Sequence, residues 1–283
     1  MGTAKLNNDE KSLERFREII KDKCLMDDKF MSVVFKDFPE GVELVLRIIL
    51  DIPDLVVNKS TTQLTMTNLL GRTVRIDVFA TDSKGVRYNI EVQNTKKGAG
   101  VKRARYHSSM LDANDPSYIG ENFDAIARSF VIIICETDVI GAGKPLYRIR
   151  RKVEETGELF DDEATIIYVN GANKDSSTEL GRLIQDFFNP DPDTMNNKLL
   201  SDKTRQYKSE KECIEMVREY LTEEEWDAAE KSGIEKGASL MIRENLDDNT
   251  PTERIIFKLG KYYGFSREEA IEMIEKQKSA AVV

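Results

Sequence analysis

The segment TVRIDVFATDSKGVRYNIEVQN, Thr73 to Asn94, reads as two strands about a tight turn. Val74, Ile76, Val78 and Ala80 alternate with Arg75, Asp77 and Phe79, and Tyr88, Ile90 and Val92 alternate with Asn89, Glu91 and Gln93. Between them, Asp82-Ser83-Lys84-Gly85 supplies turn chemistry. A loop of Ser83 to Gly85 with Gly85 in the left-handed region makes the pairing symmetric about Lys84 and sets Asp77 directly opposite Glu91. Directly paired side chains have Cβ atoms about 4.5–5.5 Å apart, so two carboxylates there repel unless a cation lies between them. A divalent metal is the natural occupant. Gln93 points to the same side as Glu91 and offers an amide that can orient a water or a phosphate oxygen.

Asp77, then Glu91-Val92-Gln93 on the next strand, then a basic helix opening with Lys102-Arg103-Ala104-Arg105-Tyr106, resemble the PD-(D/E)XK nuclease superfamily. The likeness is strongest to its branch of nuclease family transposases, or recombination-promoting (Rpn) nucleases. Flanking text is similar too: Asp28-Lys29-Phe30 and Val34-Phe35-Lys36, Gly71-Arg72 before the first motif strand, and Tyr168-Val169-Asn170-Gly171, so the resemblance spans residues 25–230. Two positions depart from the superfamily's name. Ile76 stands at the Pro position, where packing is the main demand, and Gln93 stands at the Lys position, as it does in the resembling branch.

The resemblance implies an α/β fold with a restriction-endonuclease-like core, an α-β-β-β-α-β mixed sheet flanked by helices, and a C-terminal helical extension. It implies a metal-dependent DNA endonuclease linked to recombination or transposition. Asp77 and Glu91, with the Val92 carbonyl, would hold one or two Mg²⁺ ions, Mn²⁺ being able to substitute, and Asp77, Glu91 and Gln93 would form the catalytic set. Lys96, Lys97, Lys102, Arg103 and Arg105 would meet DNA phosphates. Nucleases of this superfamily often bring a further acid from the first helix. Glu43 is the candidate here, although an i,i+4 pair with Arg47 is the plainer account of it. Two rivals stay open: a catalytically weak or inactive nucleic-acid-binding or oligomerising module with a nuclease fold, and a metal-binding RNA nuclease.

A net charge of -9 is unusual for a protein that binds phosphates, so the distribution of charge decides the matter. Cations cluster around the motif at Lys84, Arg87, Lys96, Lys97, Lys102, Arg103 and Arg105, and again at Lys144, Arg148, Arg150, Arg151 and Lys152. The second run reads equally well as a solvated face. The lone histidine, His107, is left out of the catalytic set, because metal nucleases of this kind do not require one.

The longest apolar run, Phe130 to Cys135, is a buried strand and far short of the roughly 18–20 residues of a membrane span. No apolar leader opens the chain, and Cys24, Cys135 and Cys213 lack metal-binding spacing, so a cytoplasmic protein is expected. Periodicity gives helices over Ser12–Cys24, Asp28–Phe38, Glu40–Leu50, Val101–Leu111 and Leu180–Phe188, and strands over Ser60–Asn68 and Ala164–Val169. Lys144 to Glu163 reads as a charged excursion, and charged helices follow from Tyr207 to Lys231, around a core Trp226, and over Glu235–Asn245. A final helix pair, Thr250–Tyr263 and Ser266–Lys276, is too acidic to enter a DNA groove and suits packing or homo-oligomerisation. The expected organisation is a helical lead over 1–27, a nuclease-like domain over 28–190 and a helical extension over 191–283.

Overall fold

The structure is a computed structural model and describes residues 16–68, 71–94, 99–116, 122–220, 235, 237–248 and 250–280. Lys96, Lys97, Ser12 and Trp226 lie outside the described residues.

One mixed six-stranded sheet organises residues Ile20–Tyr220. Its strands are β1 (Val57–Thr67), β2 (Thr73–Asp82), β3 (Arg87–Gln93), β4 (Ser129–Cys135), β5 (Leu146–Ile149) and β6 (Ala164–Asn170), in spatial order β1-β2-β3-β4-β6-β5. The first three form an antiparallel meander; β3, β4 and β6 run parallel, and β5 closes the edge antiparallel to β6. Ahead of the sheet come α1 (Asp28–Val34) and α2 (Pro39–Leu50); α3 (Val101–Ala113) connects β3 to β4; α4 (Glu179–Phe188), α5 (Lys198–Ser209) and α6 (Lys211–Tyr220) follow β6. The order α2-β1-β2-β3-α3-β4 is the expected helix, three strands, helix, strand.

The hairpin has the expected register. Val78 pairs Ile90, Ala80 pairs Tyr88 and Thr81 pairs Arg87, and Gly85 is left-handed at φ 81°. Asp82 fixes the turn: its Oδ1 accepts from the Lys84 and Val86 N–H groups, and its Oδ2 from the Tyr88 hydroxyl at 2.8 Å. Parallel strands need a long crossover, and α3 is that connection. It packs on β4 and β6 through Ala104, His107, Ser108, Met110 and Leu111, and the Tyr168 hydroxyl donates to the Ala99 carbonyl at 2.9 Å, pinning its entry.

Because α3 covers it, the polar face of the hairpin is buried. Arg87, Asn89 and Glu91 are all under 6 % exposed. A half-solvated sheet, the plainest reading of that alternation, is not what forms.

Three expected elements differ. β5 lies inside the stretch read as a charged excursion; it is four residues long and half-exposed, so it carries no apolar alternation. Of the charged helix expected over Tyr207 to Lys231, the described part, up to Tyr220, falls on two helices broken at Glu210, whose backbone is extended at φ -78°, ψ 132°. α5 and α6, placed by sequence in the extension, belong to the unit that holds the sheet, which runs to Tyr220. The second unit joins residues up to Ile19 with those from Leu221 onward. Its described part has its own core of Ala238, Ile242, Ile255, Leu259, Ala270 and Ile274, on helical residues 237–247, α7 (Thr252–Tyr263) and α8 (Arg267–Ala280). Among the described residues no helix is long and apolar enough to cross a membrane.

Candidate functional site

One register step past the Val78–Ile90 pair, the β2–β3 ladder opens and the carboxylates of Asp77 and Glu91 take over its hydrogen bonds. The Asp77 N–H donates to Glu91 Oε1 at 3.4 Å, and the Val92 N–H donates to Asp77 Oδ2 at 3.3 Å. Both distances are long for N–H···O bonds, so each acid is held loosely by the strand carrying the other. Val92 therefore directs its N–H toward β2. In an extended strand the carbonyl of the same residue faces the same edge, so the Val92 carbonyl also points into the opening, whereas the Gln93 carbonyl accepts from the Glu136 N–H on the other side.

The opening leads into a cleft of about 580 Å³ whose walls include Asp77, Gln93, Arg103, Tyr106 and His107. Asp77 is 7 % exposed, and Glu91, at 2 %, is not among the walls. Arg103 and His107 lie on α3 one helical turn apart and both reach Glu91. Arg103 Nη2 is 3.7 Å from Glu91 Oε2 and His107 Nδ1 is 3.4 Å from Oε1, with Asn89 Nδ2 2.9 Å from the same imidazole nitrogen. Glu91 Oε2 nonetheless accepts no hydrogen bond, and neither does Asn89 Oδ1.

Two acids this close and this buried cannot both ionise cheaply. Burial, then the charge of Glu91, push the Asp77 carboxyl up to about 8; the Val92 N–H pulls it back, Asp28 pushes it up, and Arg103 lowers it slightly. A cation between the carboxylates would reverse that balance.

Among the described residues no three His, Cys, Asp or Glu side chains form a group that could hold a metal ion. The donor set here is smaller: two carboxylates and a backbone carbonyl. It fits a hard divalent cation, which takes oxygen ligands and keeps several waters, and the bare Glu91 Oε2 is a buried oxygen lacking a donor.

The other candidates separate. Of the three α3 cations, only Arg103 lines this cleft; Lys102 and Arg105 line a different groove, beside Arg150 and Arg151. Glu43 is outside the cleft. Its Oε1 pairs with Arg47 Nη2 at 2.6 Å and its Oε2 accepts the Val57 N–H at 2.9 Å, so it ties α2 to the start of β1. The acid that a leading helix does bring is Asp28, at the first position of α1 and in the cleft wall. Asp28, named above only in the text flanking the motif, and His107, left out of the catalytic set, both line the cleft. The Asp28-Lys29-Phe30 text was visible, but its helix is short and only the fold brings it to the cleft. The sequence matches no family model, and no curated protein or solved structure is significantly similar to it.

Proposed function

We propose that this chain is a metal-dependent phosphodiesterase of the PD-(D/E)XK type that cleaves DNA. The observation that carries the reading is the opening of the β2–β3 ladder at Asp77 and Glu91, where two carboxylates and the Val92 carbonyl face one gap beside a cleft. Asp77, Glu91 and that carbonyl would hold Mg²⁺ or Mn²⁺. A divalent ion bound there would supply Lewis-acid activation of a water and charge neutralisation at the phosphate. Gln93, in the cleft wall, orients the water through its amide, and Arg103, 48 % exposed along its side chain, offers a guanidinium to a phosphate oxygen. His107, one turn beyond Arg103 on α3, packs its imidazole against Glu91. Unlike a Lys, Gln93 adds no charge to the transition state, so a modest intrinsic rate is expected. Recombination or transposition is the setting that the resemblance suggests.

The test is nicking of supercoiled plasmid in Mg²⁺ or Mn²⁺ by wild type beside Asp77→Asn. Wild type should nick and lose activity in EDTA, Asp77→Asn should lose at least two orders of magnitude, on the order expected for a charge-stabilising group, and Gln93→Lys should retain or raise cleavage. The Gln93 position also favours a second reading, a nucleic-acid-binding module without useful catalysis. Wild type that binds DNA but nicks nothing in either metal would select it.

A further inference from the structure

We propose that the groove between α3 and the β5–β6 edge is a second DNA-binding subsite that holds a single strand by its phosphodiester backbone, separate from the acid cleft. The inference extends the nuclease reading, which supplies the nucleic acid. α3 is the ridge between the two depressions. Arg103, Tyr106 and His107 face the acids, while Lys102, Arg105 and Ser108 face the groove, whose volume is about 310 Å³.

Its opposite wall is Ile149, Arg150 and Arg151, and its lining contains four cationic side chains and no carboxylate, in a protein of net charge -9. Arg151 is already engaged by Asp162. Among the described residues the side chains of Lys102, Arg105 and Arg150 enter no ion pair, and all three are exposed. Lys102 and Arg105, three apart on a helix, are side-chain neighbours, which suits successive contacts along one backbone. α3 also begins here with no side chain capping its first turn, and open N–H groups at a helix N-terminus favour anions.

The floor argues for a strand rather than a duplex or a free anion. Val101 is 65 % exposed and Ile149 40 %, and with Ile166 they give the groove an apolar base between its cations. A duplex keeps its base faces stacked inside, whereas an unpaired strand can lay base faces on an apolar surface while its phosphates meet the rim. Arg103 and Lys102 are adjacent in sequence, so a strand in the groove passes within one helix width, about 10 Å, of the acid cleft. The groove would hold nucleic acid next to the position where the acids act.

The experiment measures binding of a fluorescein-labelled single-stranded oligonucleotide by anisotropy in EDTA, where cleavage cannot contribute. Full-length wild type is compared with Lys102→Ala/Arg105→Ala/Arg150→Ala over a salt series, and thermal melting checks folding. Loss of three phosphate contacts on a single strand should reduce the slope of log K against log salt by about 2 and weaken low-salt binding on the order of tenfold or more. Arg103→Ala, on the acid-cleft side of the ridge, should reduce that slope by no more than the single contact assigned to it, about 0.7. A photo-crosslinking residue at Ile149 gives a second readout and should capture the oligonucleotide. An unchanged slope and affinity in the folded triple variant, or no binding by wild type at low salt, overturns the proposal. Should the triple variant lose binding while wild type nicks no plasmid, the subsite stands and the nuclease reading fails.

Discussion

Asp77 is where the chemistry of one residue reaches furthest. Its carboxyl keeps a proton in the folded chain that the unfolded chain releases near the usual carboxylate value of 3.8. A group whose folded pKa is raised contributes stability that is full below the unfolded value and is lost as pH climbs through the folded one, here about 8. Denaturant melts in EDTA should therefore show the wild type losing stability between pH 5 and about 8.5, with Asp77→Asn flat over the same window. A divalent ion must displace that proton, so its apparent affinity should rise about tenfold per unit toward pH 8 and level off above it. Calorimetric titration of Mn²⁺ at three pH values checks the second half, and a pH-independent affinity would mean the ion binds elsewhere. His107 makes the complementary point. A lone histidine gives no signal in sequence, because its place beside Glu91 comes from lying one helical turn beyond Arg103.

Elements show what the sequence can and cannot specify. The β2–β3 register was legible because a left-handed Gly85 and strict alternation leave a single pairing, and a slip of one residue would turn Asp77 to the opposite face. β5 was not legible, since four half-exposed residues need no pattern when the edge of β6 supplies their hydrogen bonds. That the polar face of β3 is buried was also hidden, because it depends on α3 returning over it. Two acids on leading helices illustrate the same limit. Glu43 satisfies Arg47 and the Val57 N–H, and Asp28 faces the cleft and raises Asp77's carboxyl. Glu43→Ala leaves a donor and a cation unmet and should cost about 1–3 kcal/mol of stability with Mn²⁺ affinity unchanged. Asp28→Asn should do the reverse, weakening Mn²⁺ binding severalfold with little effect on melting. Chemical denaturation and calorimetry on the two variants check the pair, and a metal defect confined to Glu43→Ala would restore Glu43 to the site.

At the scale of the whole molecule, net charge divides along the boundary between the two units. Residues 221–283 carry fourteen Asp and Glu against nine Lys and Arg, so much of the net negative charge resides outside the unit that bears the sheet, the acid cleft and the basic groove. The second unit closes a small core but leaves Leu240, Phe257 and Tyr262 each more than half exposed, at 61 %, 65 % and 66 %. Apolar side chains so exposed on so few residues suit contact with another copy of the chain better than contact with phosphates. A fragment ending at Tyr220 retains every element of the sheet and both candidate sites. It should bind a single-stranded oligonucleotide at least as tightly as the full chain, with the same salt slope, since screened long-range repulsion is removed and no contact is lost. By light scattering it should be monomeric at concentrations where the full chain associates. Circular dichroism first establishes that the fragment is folded. A folded fragment with a shallower salt slope would place phosphate contacts beyond Tyr220, and a full chain that is monomeric throughout would remove the C-terminal helices from assembly.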